Sequence, residues 1–224
     1  MRPPVAAMVV VAAGSSGRAG TDKLFAEVAG RPLLAHTLAA VRRSPAVNRV
    51  VVVTRLEMVD AVRALDPSVT VVLGGDTRTA SELAGVAALA SEIETGEVEV
   101  VVIHDGARPL VSAELIERVI DVAHNAGGAV PVLPVTDRLV GADLDTVDKV
   151  GLRRVQTPQA FRAQPLLQAL RTAAAEGTHL PDTAAAVRLY TDCTIETVPG
   201  EAINLKVTYS DDLTEVARLL ASFR

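Results

Sequence analysis

The sequence predicts a three-layer α/β fold around a mainly parallel sheet, and three observations carry that expectation. Short Val-rich runs alternate with stretches of helical spacing almost from end to end. Aromatic residues make up only 2% of the chain and Trp is absent, so Val, Ala and Leu must build the core. The 224 residues, 49% hydrophobic and 22% charged, suit one domain with a substantial core and leave little room for two. Strands separated by helices imply βαβ crossovers, whose sheets are covered on both faces and whose strands read as unbroken hydrophobic runs.

Val5–Ala13 is the first strand, apolar throughout and ending in a Gly-rich turn. Further Val-rich runs bounded by Gly, Asp or Pro follow at 49–54, 69–73, 98–103 and 129–133. Between them, 33–43, 58–65, 79–93 and 112–125 carry helical spacing; Ser112 is the expected N-cap of the last, and Asn125-Ala126-Gly127-Gly128 its stop. The pattern breaks at 134–159, which has two short alternating pieces around an acidic turn. This segment reads as a hairpin arm leaving the domain; the other reading is a long surface loop. Helices at 164–176, 183–190 and 212–223 and a strand at 195–198 complete a single domain over 1–224.

The net charge of −5 offers no basic field for nucleic acid or an anionic membrane, so a phosphate ligand must be held by a local cluster of Lys and Arg. No apolar run approaches the roughly 20 residues that span a bilayer. The apolar start leads straight into a Gly-rich turn, unlike a signal peptide. A single cysteine, Cys193, excludes an intrachain disulfide and a multi-Cys metal site, fits a reducing cytoplasm, and reads as a buried strand thiol.

Three clusters follow strands, where open α/β sheets bind ligands. Ala12-Ala13-Gly14-Ser15-Ser16-Gly17-Arg18 continues to Lys23; its small residues let backbone N–H groups approach phosphates, and Arg18 and Lys23 supply charge. It is neither a Walker A loop nor a clean Gly-x-Gly-x-x-Gly. Gly74-Gly75-Asp76-Thr77-Arg78-Thr79-Ala80-Ser81 lets backbone pack against a flat base, with Ser81 for a polar edge and Arg78 for a phosphate. It reads equally as a turn with Thr79 capping a helix. His104-Asp105-Gly106-Ala107-Arg108-Pro109 puts an acidic residue at a strand end, where it suits Mg²⁺ or its waters. His104 is read as structural, because neighbouring strand residues face opposite ways.

AAGSSGR…K, GGDTRTAS, HDGARP, VQTPQAF and INLKVT occur in this order over nearly the whole chain. Together they resemble the 2-C-methyl-D-erythritol 4-phosphate cytidylyltransferase family, and the related ribitol 5-phosphate cytidylyltransferases share most of them. The resemblance implies a Rossmann-like three-layer nucleotidyltransferase domain with a projecting β-arm, CTP and a small polyol phosphate as substrates, Mg²⁺ as cofactor, and a homodimer. It also implies roles. Arg18 and Lys23 match the pair that stabilises charge at the α-phosphate. Ala12, Ala13, Gly14, Gly75, Asp76, Ser81, Ala107 and Arg108 match the nucleotide pocket, with Gly75 and Ser81 near cytosine. Asp105 matches the acidic residue near Mg²⁺. Lys206 matches the lysine that positions the acceptor phosphate. Lys149 falls where the family has Arg, on an arm that in the family reaches the partner subunit's site.

The acceptor half departs further from the family pattern than the nucleotide half. Arg138 stands where Thr is expected, Lys149 replaces a bidentate Arg by a point charge, and Leu180-Pro181-Asp182-Thr183-Ala184 replaces Thr-Asp-Asp/Glu-Ala-Ser. Ribitol 5-phosphate or another polyol phosphate is therefore an alternative acceptor; a shortened first loop, with Lys23 five positions after Arg18 and Ser16 in place of a second glycine, makes a catalytically weak nucleotide-binding paralogue an alternative class. An NAD-dependent oxidoreductase is disfavoured, because Thr54-Arg55 stands where an acidic residue is needed.

Overall fold

The Val-rich runs at the centre of the sheet form strands because both of their faces are buried. In the computed structural model, which describes residues 3–14, 23–178 and 180–222, β1 (Ala6–Val11) alternates between two cores. Ala6, Met8 and Val10 enter one; Ala7 and Val9 enter the other. The same alternation holds in β4 (Val47–Thr54) and β6 (Val100–Asp105). The remaining strands are β2 (Glu27–Val28), β3 (Arg31–Pro32), β5 (Thr70–Leu73), β7 (Gly127–Pro134), β8 (Arg153–Val155), β9 (Gln159–Arg162) and β10 (Thr194–Pro199).

One face of the sheet is covered by α1 (Leu33–Val41), α2 (Val59–Leu65), α5 (Ala113–Ala126) and α8 (Ser210–Ser222). The other carries α3 (Arg78–Ala87), α4 (Ala90–Glu94), α6 (Ala163–Ala175) and α7 (Thr183–Tyr190). Helix 79–93 of the sequence reading is thus two helices, broken at Ala88-Leu89. Ser112 caps α5 by accepting from Leu115 N at 3.0 Å, and Gly127, at φ 126°, ends it. For α3 the cap is Thr77, accepting from Ala80 N, and not Thr79, which lies inside the first turn. Among the described residues, no helix is long and apolar enough to cross a membrane.

The main sheet runs β10-β7-β9-β6-β1-β4-β5, with β8 added on β7. β1, β4, β5 and β6 are parallel to their neighbours in that group, as is β10 to β7. β9 runs antiparallel between β6 and β7. This strand is absent from the sequence reading, which put Gln159 at the end of the arm. Instead Gln156, Thr157 and Gln159 are buried. Between Pro134 and Arg153 the expected hairpin has no regular ladder among the described residues, only a bridge from Val140 to Thr146 around a turn at Gly141–Asp145. Cys193 is half-buried in irregular chain before β10, not a buried strand thiol.

Candidate active site

The register of β1 sets Val11 beside Asp105 on one side and beside Val53 on the other, so the loops that follow all three strands open at the same sheet edge. There a cavity of about 400 Å³ is lined by Ala12, Ala13, Gly14, Lys23, Gly75, Asp76, Ser81, Asp105, Ala107 and Lys206, together with Thr77, Arg78 and Gly106. Ten of the thirteen residues to which the resemblance gives site roles therefore share one pocket, and Arg78 joins them. Arg18 lies outside the described residues. Arg108 and Lys149 do not line the cavity within the single chain.

Small residues keep the two nucleotide loops in contact. A Cβ on Gly74 would stand 2.5 Å from Ala13 Cβ and 2.9 Å from Ser81 Oγ. Ser81 Oγ accepts from Gly75 N and donates to Gly75 O, each at 3.2 Å, so this hydroxyl shapes the loop whose backbone faces the pocket. Thr37 on α1 donates to Gly106 O at 2.7 Å and fixes the third loop from below.

Asp105 is the electrostatic centre. Its Oδ1 lies 3.1 Å from Arg78 Nη1, and its Oδ2 lies 3.3 Å from Arg108 Nε and 3.1 Å from Lys206 Nζ. Burial alone would raise its pKa, but Lys206, Arg78 and Arg108 together hold the carboxyl well below the usual range. Lys206 arrives because Val207 N donates to Ala107 O at 2.9 Å, pinning the segment after Asn204 along the third loop. Arg108 Nη1 is spent on Asn204 O at 2.8 Å, so this side chain supports the site from beneath.

A buried polar chain orders the floor. Asp105 N donates to Thr157 Oγ1 at 3.0 Å, Thr157 Oγ1 lies 3.2 Å from His104 Nδ1, and His104 Nε2 lies 3.2 Å from Arg108 O. A carbonyl only accepts, so Nε2 carries the proton and Nδ1 accepts from Thr157. Burial pushes His104 down to about 4, against the opposing pull of Asp105, so the ring is neutral. Asn204 Nδ2 donates to Thr157 O, and Gln156 Nε2 to Glu201 O and Asn204 O. The roles of Gln156, Thr157 and Asn204 escaped the sequence reading, although each lies in a motif it singled out. Their signal is polar residues flanked by apolar ones, which does not say which partner they meet.

The described residues hold no group of three or more His, Cys, Asp or Glu side chains able to cage a metal. Asp105 offers one carboxylate at the pocket wall, which suits a Mg²⁺ that takes its other oxygens from phosphates and water.

A pocket walled by glycine-rich loops and cations, at the carboxyl edge of a mostly parallel α/β sheet, defines an enzyme of the nucleotidyltransferase class. The chain matches the family model IspD: 2-C-methyl-D-erythritol 4-phosphate cytidylyltransferase over residues 6–222. A 2-C-methyl-D-erythritol 4-phosphate cytidylyltransferase of Cereibacter sphaeroides is 41% identical over 225 residues, 96% of each chain. Among solved structures, the cytidylyltransferase of Thermus thermophilus is 32% identical with a TM-score of 0.78, covering 95% of this chain and 98% of its own. The 4-diphosphocytidyl-2C-methyl-D-erythritolsynthase of Anaerococcus prevotii superposes with a TM-score of 0.83 at 25% identity, over 98% and 97% of the two chains. This chain belongs to the 2-C-methyl-D-erythritol 4-phosphate cytidylyltransferase family.

Proposed function

We propose that the pocket transfers CMP from CTP to 2-C-methyl-D-erythritol 4-phosphate and releases pyrophosphate. The observation that carries this reading is a cavity lined by Lys23, Arg78, Lys206 and Asp105, with Arg78 and Lys206 paired to Asp105, in a chain of this family. An acceptor phosphate oxygen attacks the α-phosphorus; that O–P bond forms as the bond from the α-phosphorus to the β-bridging oxygen breaks, and pyrophosphate leaves with the electron pair. The acceptor arrives already ionised, so no nucleophilic side chain is required. Lys23 and Arg18 offset charge at the α-phosphate, and Lys206, half-exposed at the rim, turns from Asp105 to the acceptor phosphate. Gly75 and Ser81 hold the base. Mg²⁺, held by Asp105 and the triphosphate, would neutralise phosphate charge. The setting that fits a single cysteine is the cytoplasm, and the working unit is a homodimer joined through the arm expected at 134–159.

Pyrophosphate release from CTP, measured with 2-C-methyl-D-erythritol 4-phosphate and with ribitol 5-phosphate, tests the reading. The expected result is turnover with the first and at least about tenfold lower kcat/KM with the second, the scale set by a site built for one substrate's hydroxyls. Turnover with the ribitol compound alone would move the acceptor assignment; turnover with neither would leave a nucleotide-binding paralogue.

A further inference from the structure

Glu82 is a carboxylate without an evident reason to be where it is. It sits on α3, its side chain only 3% exposed, and its Oε1 accepts from Arg78 Nε at 2.8 Å. Thr183, the first residue of α7, sets its buried hydroxyl beside the same carboxylate, without a well-aligned hydrogen bond. Helix energetics does not explain the pair. Arg78 is the first residue of α3, where the macrodipole disfavours a cation, and Arg before Glu is the weaker order for an i,i+4 pair. Burying the carboxylate is costly as well. Burial raises its pKa, with Arg78 and Thr183 opposing.

What the pair does is divide the guanidinium of Arg78. Nε goes to Glu82 and Nη1 to Asp105 Oδ1 at 3.1 Å, while Nη2 has no partner among the described residues and the side chain borders the pocket. Arg108 and Lys206 already occupy Asp105 Oδ2, so without Glu82 the guanidinium of Arg78 is tied to Asp105 through Nη1 alone and can swing about that one contact. That freedom would let Arg78 turn its Nη2 away from the cavity. We propose that Glu82 is a positioning residue that holds Arg78 open toward the phosphates of the bound nucleotide. This rests on the reading of the cavity as a CTP site.

The experiment is titration of the full chain with CTP in the presence of Mg²⁺, together with steady-state kinetics, for Glu82→Gln, Glu82→Val, Arg78→Ala and the double variant Glu82→Val/Arg78→Ala. Losing a charge-assisted bond is expected to weaken CTP binding about tenfold in Glu82→Gln, with kcat at saturating CTP and the acceptor KM within about threefold of wild type. Because Glu82 acts through Arg78, the double variant binds CTP no worse than Arg78→Ala alone. Wild-type CTP affinity in Glu82→Gln, or losses that multiply in the double variant, would overturn the proposal. If neither Glu82 variant folds, Arg78→Lys asks the same question, since a point charge cannot serve both carboxylates; wild-type affinity there overturns it too. A wild-type chain that binds CTP but turns over no polyol phosphate would defeat the proposed reaction and leave the titrations to judge Glu82.

Discussion

His104 shows how far one residue can be read from sequence and where the reading stops. Its assignment as structural follows from strand alternation, which puts its ring on the face opposite Asp105. The partners that fix its tautomer, Thr157 and the Arg108 carbonyl, come from other parts of the chain and leave no local trace. Its pKa carries a consequence. In the unfolded chain the ring gains a proton as pH falls through 6.5, whereas the folded ring resists until about 4. The folded state is therefore fully favoured above pH 6.5 and loses roughly 3 kcal/mol from this residue as pH falls toward 4. Glu82, with its raised pKa, acts in the opposite direction at the acid end. Urea unfolding at about pH 7 and about pH 4.5, on either side of the ring's unfolded titration, is expected to show a smaller pH-dependent loss for His104→Gln than for wild type, even though the variant is weaker at neutral pH. Equal losses in the two proteins would mean that His104 is not buried neutral.

At the scale of elements, the Val-rich strands and the long helices are legible because burial on both faces writes itself into composition. β2, β3, β8 and β9 are not legible: each has two to four residues, too few for any period to appear. β9 is a strand because β6 and β7 both pair with it, a cause that lies outside its own four residues. The loop that joins β5 to α3 is legible as a ligand-binding cluster, yet its tightness is not. Gly74 meets Ala13 across the gap between two loops that sequence places far apart. Gly74→Ala must push the two loops apart, an overpacking that costs about 1–3 kcal/mol and widens the nucleotide pocket. CTP affinity is expected to fall at least as much as the melting temperature suggests, as read by calorimetric titration and thermal unfolding. Unchanged affinity at lowered stability would place Gly74 in packing alone.

For the whole molecule, the segment after β7 carries the apolar residues that a monomer has least reason to expose. Leu144 is 76% and Val150 86% exposed, with Val140, Val147, Leu152 and Val155 also at the surface. Apolar groups in such number call for a partner surface, and a second copy of the chain is the partner the family resemblance implies. Lys149 donates its Nζ to Thr136 O within its own segment, and in the proposed dimer it would be the side chain that crosses to the neighbouring site. Mixing Lys149→Ala with Lys23→Ala subunits is expected to restore activity toward about a quarter of wild type, because about half of randomly exchanged dimers carry one intact site of two. A monomer by light scattering, or no recovery after proven exchange, would remove the shared site.

The antiparallel pairing of β8 with β7 has a further consequence for how this molecule can change over generations. Pro134 at the end of β7 and Arg153 in β8 are direct Cα partners, so the chain leaves the sheet and re-enters it at one doorway, on the same rim as Asp105. Everything between is a detour that the sheet does not need for its register. A change of length or chemistry there leaves the sheet register and the loops around Asp105 in place, so a new acceptor or a new subunit contact can be tried without refolding the catalytic floor. The departures at Arg138 and Lys149 fall inside that detour, the part of the chain where altering the substrate disturbs the fold least.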